Sequence, residues 1–117
     1  MCVMRIVDFR PKGAKLVEKY DSRFRLINVQ TVDSHLSVNC IFIGPGDFIG
    51  RHRTSTSQLF MIVDGQGWVS GRRGAKRRVE KGDAVLWETG ELHEAGSDRG
   101  MTAVVVEYNI SHIRGRF

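Results

Sequence analysis

A chain of 117 residues is long enough for one domain, which should bury roughly 65% of the surface that the unfolded chain exposes. Its apolar residues, 41% of the total, are gathered in short runs, which excludes a disordered chain. No apolar run approaches the about 18 residues of a transmembrane helix, and the amino terminus lacks the apolar core of a signal peptide. We therefore expect a cytoplasmic protein with no membrane contact.

The charge of the chain is positive, with a formal net value of +5 at neutral pH. Much of the excess falls in one segment, at Arg72, Arg73, Lys76, Arg77 and Arg78. Such a cluster is typical of a solvated hairpin, and it lacks the interleaved aromatic residues of a nucleic-acid site. We therefore do not expect nucleic acid as a partner.

Short strand patterns follow one another along the chain, separated by turn signals at intervals of roughly 6–12 residues. The predicted strands are residues 4–9, 24–29, 36–43, 48–53, 58–63, 68–71, 77–80, 84–87 and 101–108. Residues 14–20 fit a helical turn or a loop, and residues 64–67 predict a tight turn. Since no helical period is sustained, the sequence predicts a single all-β domain over residues 1–117, a sandwich or barrel with its core in residues 24–108.

In the centre of the chain, two glycine turns each lead towards a histidine. The first segment contains Gly46, His52, Thr54, Gln58 and Gly65, and the second contains Gly82, Glu88, Gly90, His93 and Ser97. These spacings resemble the two motifs of the cupin superfamily, in particular those of small single-domain RmlC-like cupins of the conserved-barrel type. The resemblance covers residues 43–97 by motif and residues 24–108 by strand pattern. It implies a double-stranded β-helix, the jelly-roll barrel of cupins.

In that family, two histidines and a glutamate of the first motif hold a divalent metal together with the histidine of the second. The resemblance places His52, Thr54, Gln58 and His93 at these positions, so a hydroxyl and an amide replace two of the ligands. Imidazole binds Zn, Fe, Ni, Mn or Cu, whereas an amide oxygen is a weak donor. His52, His93 and Gln58 are therefore candidate ligands of a degenerate metal site, and all four residues are candidate ligand-binding residues. The alternative is no cofactor, with both histidines hydrogen-bonded to a ligand or water.

No carboxylate holds a predictable catalytic position. Glu88 replaces the proline of the second motif and is a candidate general base if its side chain faces inward. Strand alternation directs Glu94 away from the side of His93, whereas the sequence does not decide whether Glu91 or Glu107 enters the barrel. The expected apolar lining is drawn from Phe48, Phe60, Met61, Ile62 and Leu86.

Three functions remain open at this point. We favour a small-molecule-binding barrel with no catalytic activity assigned, with or without a divalent metal. The alternative is a metal-dependent enzyme, a dioxygenase or isomerase acting on a small organic acid, phenol or sugar. A non-catalytic sensor or interaction subunit is the third, because a fold does not fix a function. The resemblance also implies a homodimer, and the strand at residues 4–9 is its expected donor.

Overall fold

The computed structural model describes residues 4–32 and 35–109. These residues form nine strands: β1 Lys15–Val17, β2 Phe24–Val32, β3 Leu36–Ile43, β4 Phe48–Arg53, β5 Ser57–Ser70, β6 Arg77–Glu80, β7 Ala84–Trp87, β8 Leu92–Gly96 and β9 Met101–Tyr108. Two single-turn 3-10 segments, Pro11–Gly13 and Lys19–Asp21, precede β2. Neither helical segment of this described part is long and apolar enough to cross a membrane. The predicted all-β class is confirmed.

All neighbouring strands pair antiparallel, and β5 connects the two parts of the sheet. The first part of β5 pairs with β9 and β7, and β9 leads on through β3 and β2 to β1. The last part of β5 pairs with β6 and β8, and β8 pairs with β4. A bridge between Arg23 and Phe48 joins the start of β2 to β4. The sheet therefore curls over on itself around one core.

The core consists of inward-facing side chains from both parts of the sheet. On β9 these side chains alternate along the strand, as a pleated strand with one buried face requires. The buried apolar side chains are Phe24, Ile41, Ile43, Ile49, Phe60, Ile62, Val69, Val79, Trp87, Ala95, Met101, Ala103 and Val105. Their burial is the main favourable contribution to folding, because it removes apolar surface from water.

The tight turn predicted at residues 64–67 is wrong. β5 runs unbroken through this segment, and its register against β9 shifts between Ile62 and Asp64. Gly65 has φ 79°, and a Cβ added there would overlap the carbonyl oxygen of Gly100. Glycine is therefore needed here so that the strand can change partners at close range. The separate strand predicted at residues 68–71 is the end of β5.

The amino-terminal part of the chain also differs from the prediction. Residues 4–9 form no strand, and their side chains are exposed, because no neighbouring strand pairs with them before Pro11 opens a 3-10 turn. The strand predicted there is absent within the single chain, and its expected role as the dimer donor stays a prediction. Residues 14–20 contain β1 and the start of the second 3-10 segment, where a helical turn or loop was predicted. The other predicted strands are confirmed, although β2 extends to Val32.

Gly50 on β4 lies against the backbone of the second 3-10 segment, and a Cβ added there would overlap the carbonyl oxygen of Tyr20. We expect Gly50→Ala to lower the free energy of unfolding by about 2 kcal/mol or more, because residues 19–21 would have to move. Thermal unfolding measures this loss. Gly13→Ala is the matched control, since its Cβ would meet only Ile27 at an ordinary 3.9 Å. A Gly50→Ala protein as stable as wild type would contradict this packing.

Candidate functional site

The two histidines singled out from the sequence meet across a strand pair. His52 on β4 is the register partner of His93 on β8. Directly opposite residues of an antiparallel pair project to the same side, so their side chains come close together. Their ring centroids are 4.5 Å apart, with an angle of 57° between the ring planes. The structure thus brings the motif histidines together.

Backbone carbonyl groups determine which nitrogen of each imidazole carries a proton. His52 Nδ1 lies 2.7 Å from the carbonyl oxygen of Gly50, and His93 Nδ1 lies 3.1 Å from the carbonyl oxygen of His52. A carbonyl oxygen can only accept a hydrogen bond, so both Nδ1 atoms are assigned as donors. In the neutral imidazole, Nε2 is then an acceptor and a metal-binding atom.

His93 is one of the few buried polar residues, with 2% of its surface exposed. Its ring lies 4.7 Å from that of Trp87. Burial is the main cause that lowers the pKa of His93 to about 4, and the nearby His52 lowers it further. The hydrogen bond to the His52 carbonyl and the charge of Glu91 act in the opposite direction. His93 is therefore neutral at pH 7.

Tyr20 is a site residue that the sequence did not indicate. Its ring stacks on His52, with centroids 3.9 Å apart and planes 8° from parallel. Tyr20 and Asp21 both have positive φ, 59° and 56°, which is uncommon outside glycine. Ser22 holds the segment in place, because its Oγ accepts a hydrogen bond from the Gly50 amide at 2.8 Å. No residue pattern in the sequence signals such a backbone conformation.

Gln58 and Thr54 belong to a second polar group, on β5 and just after β4. Gln58 Nε2 donates to Thr54 Oγ1 at 3.2 Å and to Glu107 Oε1 at 3.0 Å. Thr54 is buried and donates its own proton to the Thr56 carbonyl oxygen. The Thr54 hydroxyl therefore makes its hydrogen bonds within the protein. It holds Gln58 in place and does not line the cavity itself.

Glu107 on β9 is the carboxylate that enters the site. It lies opposite Gln58 on one neighbouring strand and opposite Ser37 on the other. Besides Gln58, its donors are Asn39 Nδ2 at 3.3 Å and Ser37 Oγ at 3.4 Å, both to Oε2. Strand alternation could have found Glu107, since Val105 precedes it by two residues on the inward face of β9.

The histidines and Glu107 line one cavity of about 330 Å³. Its walls are mostly apolar and come chiefly from β2, β3, β4 and β9. The lining residues are Val17, Lys19, Tyr20, Ser22, Phe24, Leu26, Asn39, Ile41, Ile49, His52, Gln58, His93, Val105 and Glu107. None of the five apolar residues predicted for the lining is among them. Phe60 and Ile62 pack in the core, Met61 is half-buried on the other face of β5, and Phe48 and Leu86 are exposed.

The other acidic candidates lie outside the cavity. Glu88 is exposed in the turn after β7, and Glu91 accepts a hydrogen bond from the Glu88 amide at 3.1 Å. Glu94 pairs with Arg51 at 3.4 Å and accepts a hydrogen bond from Ser70 at 2.8 Å. The structure therefore does not bring Glu88 to the histidines, and Glu94 faces away from His93 as alternation predicted.

The residues at the site fit a metal only in part. His52 and His93 supply two well-oriented nitrogen donors, but the Thr54 hydroxyl donates to Thr56 and the remaining Gln58 amide oxygen is a weak, uncharged ligand. Within residues 4–32 and 35–109, no three His, Cys, Asp or Glu side chains are grouped so that they could hold a metal ion. We therefore derive no chemical step through a metal.

A larger groove, of about 540 Å³, lies elsewhere on the barrel. It is lined by Gln66, Gly67, Trp68, Arg78, Asp98 and Arg99. Lys76 from the basic hairpin lies over the Trp68 ring, with its Nζ 4.0 Å from the centroid. The groove contains no histidine, and Arg78 donates to Gln66 within it. The smaller, mostly apolar cavity with convergent polar groups is the better candidate for a ligand site.

Comparison with known proteins identifies the family. A family model described as "Cupin domain" matches residues 41–107, more than half of the chain. A curated gentisate 1,2-dioxygenase from a Ralstonia species is 37% identical over 54 residues. That match covers 46% of this chain but only 15% of the dioxygenase, so the chain spans a small part of that relative's length.

Solved structures show the same fold at low sequence identity. A Cupin 2 conserved barrel domain protein from Salinispora arenicola has a TM-score of 0.77 and 18% identity, covering 94% of this chain and 92% of its own. An RmlC-like cupin with a double-stranded β-helix from Methanocaldococcus jannaschii has a TM-score of 0.73 and 12% identity, covering 93% and 94%. A predicted oxalate decarboxylase from Thermotoga maritima has a TM-score of 0.75 and 14% identity, covering 90% and 99%. The predicted double-stranded β-helix is confirmed.

The low pKa of His93 makes the stability of the barrel depend on pH. Unfolding returns the pKa from about 4 to the ordinary 6.5, so the unfolded chain binds a proton more readily. The contribution of neutral His93 is thus fully present above pH 6.5 and is lost as the pH falls to 4. The expected loss is about 3 kcal/mol, measured by urea unfolding of protein treated with a chelator.

His93→Asn tests this assignment, because the Asn amide can replace the Nδ1 donor but does not titrate. We expect the variant to lose much less stability than wild type between pH 6.5 and 4. His35→Asn, which also removes one histidine but outside the cavity, should behave as wild type. Parallel losses in wild type and His93→Asn would show that His93 is not the buried titrating group.

Proposed function

Because this chain is a member of the cupin family, we propose that its barrel binds a small organic molecule in the cavity lined by His52 and His93. One observation carries the proposal: two imidazoles, two amides and a carboxylate converge on a single, mostly apolar cavity of about 330 Å³. This volume is near the lower end of the range for small-molecule sites. A ligand of about the size of a substituted benzene ring matches it.

The geometry supports a simple division of roles within the cavity. Apolar walls from β2 and β3, including Phe24, Leu26 and Ile41, would cover the body of the ligand. Polar groups held by the protein would orient its functional group, since hydrogen bonds give specificity in a water-poor site. The stacked pair of Tyr20 and His52 would form one wall of the site.

Acid–base catalysis has less support than binding. A general base works best when its pKa lies near the operating pH. Burial lowers the pKa of His93 to about 4, so this imidazole is a weak base at neutral pH. Glu88, the carboxylate considered for that role, is exposed away from the cavity. We therefore propose binding, with no reaction assigned to these residues.

The second candidate is a metal-dependent enzyme, such as a dioxygenase or isomerase. Two observations favour it: both Nε2 atoms are available, and part of the chain is similar to a gentisate 1,2-dioxygenase. A divalent metal would polarise a substrate oxygen or activate dioxygen when bound. His52, His93 and the Gln58 oxygen would hold it, a donor set with no anionic ligand.

Ligand binding can be tested by filling the cavity. Leu26 is half-buried in the lining, so we expect Leu26→Trp to occupy the space of a ligand. Leu86→Trp is the matched control, because Leu86 is exposed outside the cavity. Benzyl alcohol at millimolar concentration should shift the ring resonances of His52 and His93 in NMR spectra of wild type and Leu86→Trp. The shifts should be absent in Leu26→Trp.

If benzyl alcohol leaves the histidine resonances of wild type unchanged, this cavity does not take a ligand of the proposed size. Equal shifts in Leu26→Trp and wild type would place the probe elsewhere on the protein. Circular dichroism of both Trp variants establishes first that each is folded.

The metal alternative can be tested by restoring the carboxylate that the cupin pattern has at Gln58. Gln58→Glu adds a carboxylate beside Glu107, so we expect a lower melting temperature without metal, because like charges repel. With Zn²⁺ or Mn²⁺, the new anionic ligand should raise metal affinity at least about tenfold over wild type and restore stability. Gln66→Glu, on the outer groove, is the control for added charge.

Elemental analysis of wild type gives the complementary result. We expect metal well below one ion per chain after dialysis against a chelator. A full equivalent that is retained by wild type and lost in the His52→Ala, His93→Ala double variant would favour the enzyme over the binding barrel.

A further inference from the structure

Glu107 is a carboxylate in the ligand cavity, and its hydrogen-bond donors in the described part of the chain are all neutral. Its hydrogen bonds come from two side-chain amides and one hydroxyl, on Gln58, Asn39 and Ser37. In the described part of the chain, no Lys or Arg side chain forms an ion pair with it. Neutral donors orient a carboxylate but leave its charge uncompensated, so a ligand cation or donor would gain from meeting it.

The imidazole end of the same cavity also offers acceptors. With Nδ1 donating to a backbone carbonyl in both His52 and His93, each neutral ring leaves Nε2 as an acceptor. Gln58 also offers only an acceptor, because both hydrogens of its amide group are donated to Glu107 and Thr54. Its Oε1 is the atom that remains free to accept a hydrogen bond.

The donor groups of the lining that are not already paired within the protein lie in one segment at its edge. They belong to residues 19–22, where Lys19 and Tyr20 are exposed to solvent. The Ser22 hydroxyl oxygen accepts from the Gly50 amide, and its proton remains a donor in this segment. The interior polar atoms, on β3, β4, β5, β8 and β9, are therefore acceptors or donors already paired within the protein.

We propose that the cavity selects ligands that carry hydrogen-bond donors on an apolar body, an amine or an alcohol, and that Glu107 is the residue that determines this selectivity. The inference rests on the proposed binding function and names its ligand class. An ammonium group would pair with Glu107, while a hydroxyl would donate to Glu107 or to an imidazole Nε2. A site built for one hydrogen-bonding partner rejects an analogue that leaves its polar groups unpaired.

A carboxylic acid is the class that the metal-free cavity would exclude. Its anion would face Glu107 and the imidazole acceptors with few interior donors to replace its water shell. Unpaired charge in a desolvated site is costly. A divalent metal on the two histidines would reverse this preference, because it would attract acids. The selectivity of the metal-free protein therefore also distinguishes the two candidate functions.

The test uses three probes with one ring and three functional groups: benzylamine, benzyl alcohol and benzoate. Binding is measured by NMR titration at pH 8 with a chelator, above the ordinary pKa of histidine. We expect benzylamine to bind wild type at least about tenfold more tightly than benzoate, with benzyl alcohol between them. Glu107→Gln should remove most of this difference. Glu80→Gln, an exposed site on β6, should keep it.

The outcomes separate this inference from the proposed function. Benzoate binding as tightly as benzylamine would overturn the donor selectivity while leaving the ligand cavity in place. The same holds if Glu107→Gln is folded and keeps the wild-type order of affinities. If none of the three probes binds, both the inference and the proposed binding function fail. If Glu107→Gln does not fold, the order in which wild type binds the three probes decides whether the cavity selects donors.

Discussion

The hydrogen bond from His93 Nδ1 to the carbonyl oxygen of His52 connects the fold to the site. It forms because β4 and β8 pair with these two residues opposite each other. The register of that pair is irregular between Ile49 and His52, and Gly50 in this stretch supplies the carbonyl that holds the other imidazole. Irregular strand pairs often redirect side chains in this way. The backbone thereby fixes both tautomers before any ligand arrives.

The carboxylate of the site lies on a different strand from the one that the cupin pattern indicates. The pattern has glutamate where this chain has Gln58, and the structure has Glu107 directly opposite on β9. In the pattern, the carboxylate would balance the charge of a metal. Here the amide of Gln58 donates to the carboxylate, which stays available to the cavity. The same two strands thus support a different electrostatic arrangement.

Much of the fold could be predicted from the sequence, because β3 and β9 are rich in β-branched and apolar residues and lie between clear turns. The continuous course of β5 from one part of the sheet to the other could not be predicted. Gly65 and Gly67 are as typical of a tight turn as of a strand that changes its pairing partners. The approach of the two histidines followed from motif spacing. Tyr20 was missed because its position depends on a left-handed backbone and on contact with Gly50, which is distant in sequence.

The orientations of the Gln58 and Glu107 side chains depend on each other through one hydrogen bond. The carboxylate determines the orientation of the amide, because only Nε2 can donate to it, and the amide then turns its oxygen away. Thr54 reinforces this orientation, since its proton is used by Thr56 and its oxygen can only accept. A carboxylate at Gln58 would lose both hydrogen bonds and face a like charge. The amide is therefore best understood as the partner that orients Glu107, rather than as a weakened metal ligand.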